Sequence, residues 1–361
     1  MNKISIRLSK REHIPSYKAF GIRIISIIFA FIVCAFIIVS ITGLNPLQVF
    51  AGVISGAVGT VRRLWVSIRD LLVLLMIAIG LVPAFKMKFW NIGAEGQILM
   101  GGLASAALMI YCSALPSWLL LICIMAASCI AGMIWAVIPA VFKAKYNTNE
   151  TLFTLMMNYV AMQIITFCIV FWENPPGSNT VGVINSTTGK GWFPPVFGAK
   201  YGMNVIIVLA VTAFITWYLK YTKHGYELAV VGESRQTARY AGINVKRVII
   251  RTMALSGAIC GFAGCLIVSG ASHTISTSLA GGRGFTAIIV AWMASFNSWA
   301  MAGIASLLVI MDNGAIQIAS QFGLNENVSE ILTGIIIFFL IGSEFFINYH
   351  VSFQKEKREA C

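Results

Sequence analysis

Charged side chains are scarce in this sequence. Of its 361 residues only 11% are charged, 58% are hydrophobic, and mean hydropathy is +0.84. A soluble domain is about half apolar and about one quarter charged, so a water-soluble class is excluded. The apolar runs are continuous rather than alternating. That excludes a β-barrel and leaves helices to cross the membrane. Cysteine pairs are also absent. The eight cysteines form no CxxC and no Cys/His cluster, so neither a disulfide nor a metal site is expected. Cys34, Cys123, Cys129, Cys168, Cys260 and Cys265 lie inside apolar runs, where the thiol behaves as a small hydrophobe. The four histidines, His13, His224, His273 and His350, are scattered. No GxxxxGK[ST], HExxH or GxSxG occurs, and "TTGKG" at Thr187–Gly191 lacks the earlier Gly and the Ser/Thr. The chain is therefore read as a non-enzyme with no cofactor of its own. If ATP and Mg drive it, a partner ATPase subunit must bind them.

What the sequence has is long apolar segments. A span needs about 20 apolar residues. Ten candidates run near 20–42, 67–85, 92–113, 117–142, 151–172, 202–219, 249–270, 284–297, 299–320 and 329–348. The first is too long for a signal peptide and no small-residue cleavage site follows it. The eighth is short and Gly-led, which suggests a broken helix. Residues 45–66 are apolar but interrupted, with Arg62 and Arg63 near the end, and are expected at the membrane surface. The expected fold is all-α: a single polytopic membrane domain over 1–361, with about ten transmembrane helices in two inverted halves of five.

The net charge of +13 is distributed by side rather than gathered for nucleic acid. With the N-terminus in the cytoplasm, Lys3, Arg7, Lys10, Arg11, Lys18, Arg23, Lys86, Lys88, Lys143, Lys145, Lys220, Lys223, Arg235, Arg239, Lys246, Arg247, Arg251, Lys355, Lys357 and Arg358 fall inside. Those are 20 of the 26 basic residues, and positive residues favour the cytoplasmic side. Both termini are then cytoplasmic in the cell membrane. Residues 1–19 form a cytoplasmic segment, 173–201 an extracellular loop rich in Pro, Gly, Asn, Ser and Thr, 220–248 a cytoplasmic loop and 349–361 a cytoplasmic tail.

An odd repeat of five spans inverts topology between halves, so the third span (Gly93, Gly96, Gly101, Gly102) and the eighth (Gly281, Gly282, Gly284) are counterparts. Gly-interrupted segments at matching positions of inverted halves point to a substrate path. Close helix packing is the alternative. Glu95 either lines that path with Asn91 and Gln97 or caps a helix N-terminus, where a carboxylate is favoured. Asn158 either reads a solute's hydrogen-bonding edge or bonds a neighbouring helix. Asp312 and Gln317 form the polar patch of the ninth span. They line the path, relay a proton, or form a structural pair. Phe285 is either a lipid- or core-facing ring or a stacking partner for a planar solute. Gly257, Gly261 and Gly264 have the small-xxx-small spacing of close packing. In the cytoplasmic loop, Ser234 is a candidate N-cap and Gly242 a candidate C′ residue. Arg235, Ala238 and Arg239 lie on the two turns between them. A short basic helix of this kind suggests docking into a cytoplasmic partner; a solvated loop is the alternative.

These residues carry a family resemblance. "FWNIGAEGQILMGG" (Phe89–Gly102) resembles the NIGAEGQ signature of permease subunits of nucleoside-class ABC importers, within the branched-chain amino acid and simple-sugar permease superfamily. "NETLFTLMMNYVA" (Asn149–Ala161) resembles that class's TLMLNYIA motif. "HGYELAVVGESRQTARYAGINVKR", "GGRGF" and "NGAIQ" resemble its coupling segment, its GxGF segment and its ninth-span element. The chain departs at "AWMASFNSWA", with Trp292 and Met293, and at Asp312. The resemblance implies a membrane-spanning permease subunit that moves a small polar solute inward, with nucleosides the expected cargo and sugars an alternative. It also implies a second permease in a heterodimer, ABC ATPase subunits docked on 234–243, and an extracellular substrate-binding protein. A secondary transporter coupled to protons or sodium through Glu95 or Asp312 is the competing expectation.

Overall fold

The computed structural model describes residues 4–11, 14–43, 45–196, 198–322 and 326–355. Lys3, His13, Lys357 and Arg358 lie outside the described residues. Helix follows helix: α1 (Ser16–Thr42), α2 (Pro46–Val58), α3 (Val61–Lys86), α4 (Ala94–Tyr111), α5 (Ser117–Tyr146), α6 (Glu150–Trp172), α7 (Gly202–Tyr221), α8 (Lys223–Glu233), α9 (Arg235–Tyr240), α10 (Val245–Ile267), α11 (Arg283–Met293), α12 (Ser298–Phe322) and α13 (Glu326–Asn348). A π-helical turn, Val268–Ser272, prolongs α10. Among the described residues, seven helices are long and apolar enough to cross a membrane. The helical, multi-pass reading therefore holds.

Two details differ from expectation. Arg62 and Arg63, expected ahead of the second span, lie in the first turn of α3, because α2 ends at Val58 and the chain restarts as helix at Val61. A two-stranded antiparallel ribbon, β1 (Ile4–Lys10) with β2 (Tyr349–Lys355), pairs Ile4 with Lys355 and Lys10 with Tyr349. Each strand is short and flanks a long apolar run. Sequence periodicity gives such strands little weight against the helices they adjoin.

The chain divides into two compact units. The first comprises Met1–Leu64 and Leu307–Cys361. Within it α1 packs against α13, and Arg23 pairs with Glu344 at 2.5 Å. The α1 ring Phe31 meets Phe50 of α2 edge-on at 5.0 Å. Gly314 lies so close to α2 that an added Cβ would overlap the Val53 backbone.

The second unit, Trp65–Ser306, is organised by glycine. A Cβ at Gly101 of α4 would overlap the backbone of Gly261 on α10. One at Gly132 of α5 would overlap Gly257 and Gly261, and one at Gly264 would overlap Ile98 and Gly102. Three helices thus touch backbone to backbone. Lipid tails give helices no hydrophobic reason to associate, so such van der Waals contact supplies much of the attraction. The buried share of the apolar stretch is 83% for α3 and 78% for α10, against 22%, 28% and 22% for α5, α6 and α7. The first pair forms the inside of the unit, and the others present apolar surface outward.

Candidate functional site

The polar centre of the second unit forms where two helices begin without caps of their own. A helix N-terminus leaves backbone N–H groups with no intrahelical partner, and in lipid each must be satisfied by protein. The N-cap residue of α4 is Gly93 and that of α11 is Gly282, and neither offers a side chain. Gly281 and Gly282 have φ of +56° and +75°, a left-handed entry that glycine adopts without penalty. The missing acceptors come from other helices. Asn158 of α6 accepts from Gly96 N–H at 2.9 Å through Oδ1 and donates to the Ile92 carbonyl at 3.0 Å. Thr154, one turn earlier, accepts from Ile92 N–H at 3.2 Å. Glu95 of α4 in turn accepts from Gly282 and Gly284 at the start of α11, each at 2.8 Å and each on a different carboxylate oxygen. A chain of borrowed caps runs from α6 to α4 to α11.

Asn91 and Gln97 complete the cluster. Gln97 Nε2 donates to Asn91 Oδ1 at 3.1 Å, and Asn91 Oδ1 also accepts from Gly93 N–H at 3.1 Å. The Asn91 amide lies 3.4 Å from both Gln97 Oε1 and Ser256 Oγ. Asn91, Glu95, Gln97 and Asn158 are all buried. The structure therefore brings these four predicted residues together, with their polar atoms directed at one another and at backbone. Phe285 lies on α11 with 42% of its surface exposed. Asp312 and Gln317 belong to the first unit, where Gln317 packs on Gly56 of α2.

Next to the cap chain is an ion trio that sequence reasoning did not single out. Arg69 grips Asp70 through Nε and Nη2 at 3.0 to 3.1 Å, and Arg283 Nη2 reaches the same carboxylate at 3.1 Å. Asp70 is buried. An ionisable residue inside a predicted span is rare and costly, and "RD" at 69–70 carried that signal. At the other end of α11, Trp292 stacks on Trp90 at 5.2 Å and packs against Phe85 and Phe296.

The 220–248 segment folds as two short helices. Ser234 accepts from Thr237 N–H at 3.3 Å and starts α9. Gly242, at φ +76°, ends it. Gly242 N–H donates to Arg239 and Ile243 N–H to Ala238, at 3.0 and 2.9 Å, which is the paired closure of a Schellman motif. Ala238 is fully buried in a cluster with Ala84, Leu228, Val231 and Val248, while Arg239 is exposed and Tyr240 is 92% exposed. Ala238 thus anchors α9 from within, with Arg239 exposed and Arg235 half-buried. His224 on α8 ties this segment to the spans. Its ring lies 2.8 Å from the Tyr218 hydroxyl and 3.2 Å from that of Thr252. Burial, then the positive charge of Arg251, hold His224 below its ordinary pKa.

Among its described residues the 173–201 loop holds turns and one isolated β-bridge, Val196 to Ala199, and it is well tied. Asn185 donates to the Met109 carbonyl at 2.8 Å, Phe193 N–H to Ser269 at 3.0 Å, and Ile184 N–H to His273 at 2.8 Å. Trp192 stacks on His273 with ring centroids 3.9 Å apart.

Comparison with known proteins agrees with this architecture. The profile of the family described as "Branched-chain amino acid transport system / permease component" matches residues 63–341. The chain is 27% identical to the glucose ABC transporter permease protein TsgB13 of Haloferax volcanii, over 98% of this chain and 96% of that protein. It is 27% identical to the guanosine ABC transporter permease protein NupP of Bacillus subtilis, over 89% and 92%. With the nucleoside ABC transporter permease protein NupB of Lactococcus lactis it shares 24% identity, over 88% and 89%.

Proposed function

The chain belongs to the branched-chain amino acid transport system permease family, and from that premise we propose that it carries nucleosides inward as one half of an ATP-driven permease core. Ten membrane segments in two inverted halves, with both termini cytoplasmic, form its part of the path. A second permease completes the core, two ATPase subunits with ATP and Mg sit below it, and a substrate-binding protein delivers solute from outside.

The observation that carries this proposal is α9. A six-residue helix is far below the length that is stable alone in water. This one is closed at both ends by its own caps and held by a buried Ala238, so Arg235, Arg239 and Tyr240 are presented on a rigid base. A part fixed to its own chain and basic outward is suited to receive a push from another subunit. In this arrangement Ser234, Arg235, Ala238, Arg239 and Gly242 transmit ATPase closure to α10 through Asn244, whose side chain caps α10 at Arg247 N–H. A relay through Glu95 fits less well, because both its oxygens already accept backbone N–H groups.

Nucleosides are favoured by two of the three relatives above, whose names give guanosine and nucleosides. Sugar import is the second proposal, favoured by the glucose permease that aligns over 98% of this chain. The test is purification of the tagged chain in mild detergent beside its Arg235→Glu/Arg239→Glu form, followed by uptake in proteoliposomes. An ATPase subunit should copurify with the unchanged chain and be lost from the variant. Unlabelled guanosine should compete with labelled uridine for uptake more strongly than glucose does. Uptake that proceeds without ATP and collapses with a protonophore would overturn the proposal.

A further inference from the structure

Beside the cap chain lies a cavity of about 220 Å³. Arg69 and Asp70 of α3, Arg283 of α11, and Thr274, Ser276 and Ser278 of the segment before α11 contribute to its lining. We propose that this cavity binds the hydroxylated ring of a neutral solute, a pentose or a hexose, and that its hydroxyl row is a specificity determinant for what the permease carries. The proposal rests on the reading of the chain as an importer permease.

Size is the first argument. Pockets for drug-sized ligands run to roughly 300–1,000 Å³, and water takes about 30 Å³. The cavity is thus large for a structural water and small for a whole nucleoside, and suits a single ring with its hydroxyls. Chemistry is the second. Thr274, Ser276 and Ser278 alternate in sequence yet all line this space, and Thr274 and Ser276 also border a second cavity of about 630 Å³. The Ser276 and Ser278 hydroxyls are 3.2 Å apart. A hydroxyl both donates and accepts, so such a row matches a ligand whose own groups are hydroxyls. Arg283 directs one hydrogen bond to Asp70, and its side chain remains 31% exposed. A guanidinium carries five N–H donors in all, so it can also engage ring oxygens.

Charge is the third argument. Arg69 and Arg283 both pair with the Asp70 carboxylate. Both cations of the lining are thus engaged before a solute arrives. The N-terminus of α11, otherwise an anion site, is already filled by Glu95. Neither arginine and no helix end is left unengaged for an anion, and Asp70 is held from two sides against a cation, which points to a neutral solute.

The experiment is thiol protection in the purified complex. Ser276→Cys is introduced into the otherwise unchanged chain, and its labelling by a polar thiol reagent is timed against the unmodified protein as background. Ser278→Cys serves if the first variant does not assemble. Uridine and D-glucose should each slow labelling several-fold. 2′,3′-Dideoxyuridine should slow it less than twofold, and D-ribose 5-phosphate should be no better than D-ribose. Thr274→Ala should weaken the protection. Protection equal for uridine and its dideoxy form, or absent for every hydroxylated probe, would overturn the proposal, as would stronger protection by the phosphorylated sugar. Failure of the importer reading would show separately, as absence of a copurifying ATPase subunit, because labelling does not depend on transport.

Discussion

Two polar groups in the second unit put polar side chains to opposite ends. Around the start of α4, Asn91, Glu95, Gln97 and Asn158 are buried and bonded to backbone or to each other. Across α11, the side chains of Arg69 and Arg283 remain 25% and 31% exposed and share a cavity with the serine and threonine hydroxyls. The first group replaces water for backbone at two helix starts. The second leaves polar atoms facing space. A carboxylate or amide in a membrane segment is thus no sign of a transport path until its partners are known.

That contrast can be broken from the structural side first. Gly261→Leu should have the largest effect, because even a Cβ there overlaps the backbone of Ser128 and of Gly132. A loss beyond about 4–5 kcal/mol should leave no folded protein, read as aggregation on size exclusion. Gly284→Ala comes next. Its Cβ would lie 2.6 Å from Glu95 Oε2, so the cap must shift, and a cost of about 3 kcal/mol should appear as a lower melting temperature. Asn158→Ala removes the acceptor of Gly96 and the donor to Ile92. Each buried group left unpaired costs about 1–3 kcal/mol, which melting curves would again register.

Smaller perturbations sharpen the difference between holding and coupling. Ser234→Ala removes the α9 cap at about 1 kcal/mol. It should leave melting nearly unchanged while weakening ATPase stimulation by solute. The smallest effect is that of pH on His224. Its folded pKa lies below the ordinary 6.5, so the folded state binds fewer protons than the unfolded state between the two values. Stability is full above 6.5 and falls as pH drops through it, which melting curves across that range would show as a small downward drift.

Seven of the ten expected spans match described helices long and apolar enough to cross a membrane, and these were legible because about 20 apolar residues in a row have few other uses. Helix α9 was legible as well. Its caps, Ser234 and Gly242, are local, and capping chemistry acts within a few residues. The cap chain was legible only as a list of polar residues. Asn158 and Gly96 are 62 positions apart, and Glu95 and Gly282 are 187 apart. No local pattern says which helix start a distant side chain will serve. Asp70 carried a signal as a charge inside a predicted span, but nothing local named Arg283 as its partner, and the hydroxyls at 274–278 fall between predicted spans, where no pattern shows that three of them line one cavity.

The most direct test of the account is Glu95→Gln, measured in the purified complex for melting temperature and for the KM of solute uptake together. A side chain that caps α11 predicts a lower melting temperature and less assembled complex, with KM in the surviving fraction unchanged within about twofold. A KM raised tenfold or more at an unchanged melting temperature would contradict it and return Glu95 to the solute path.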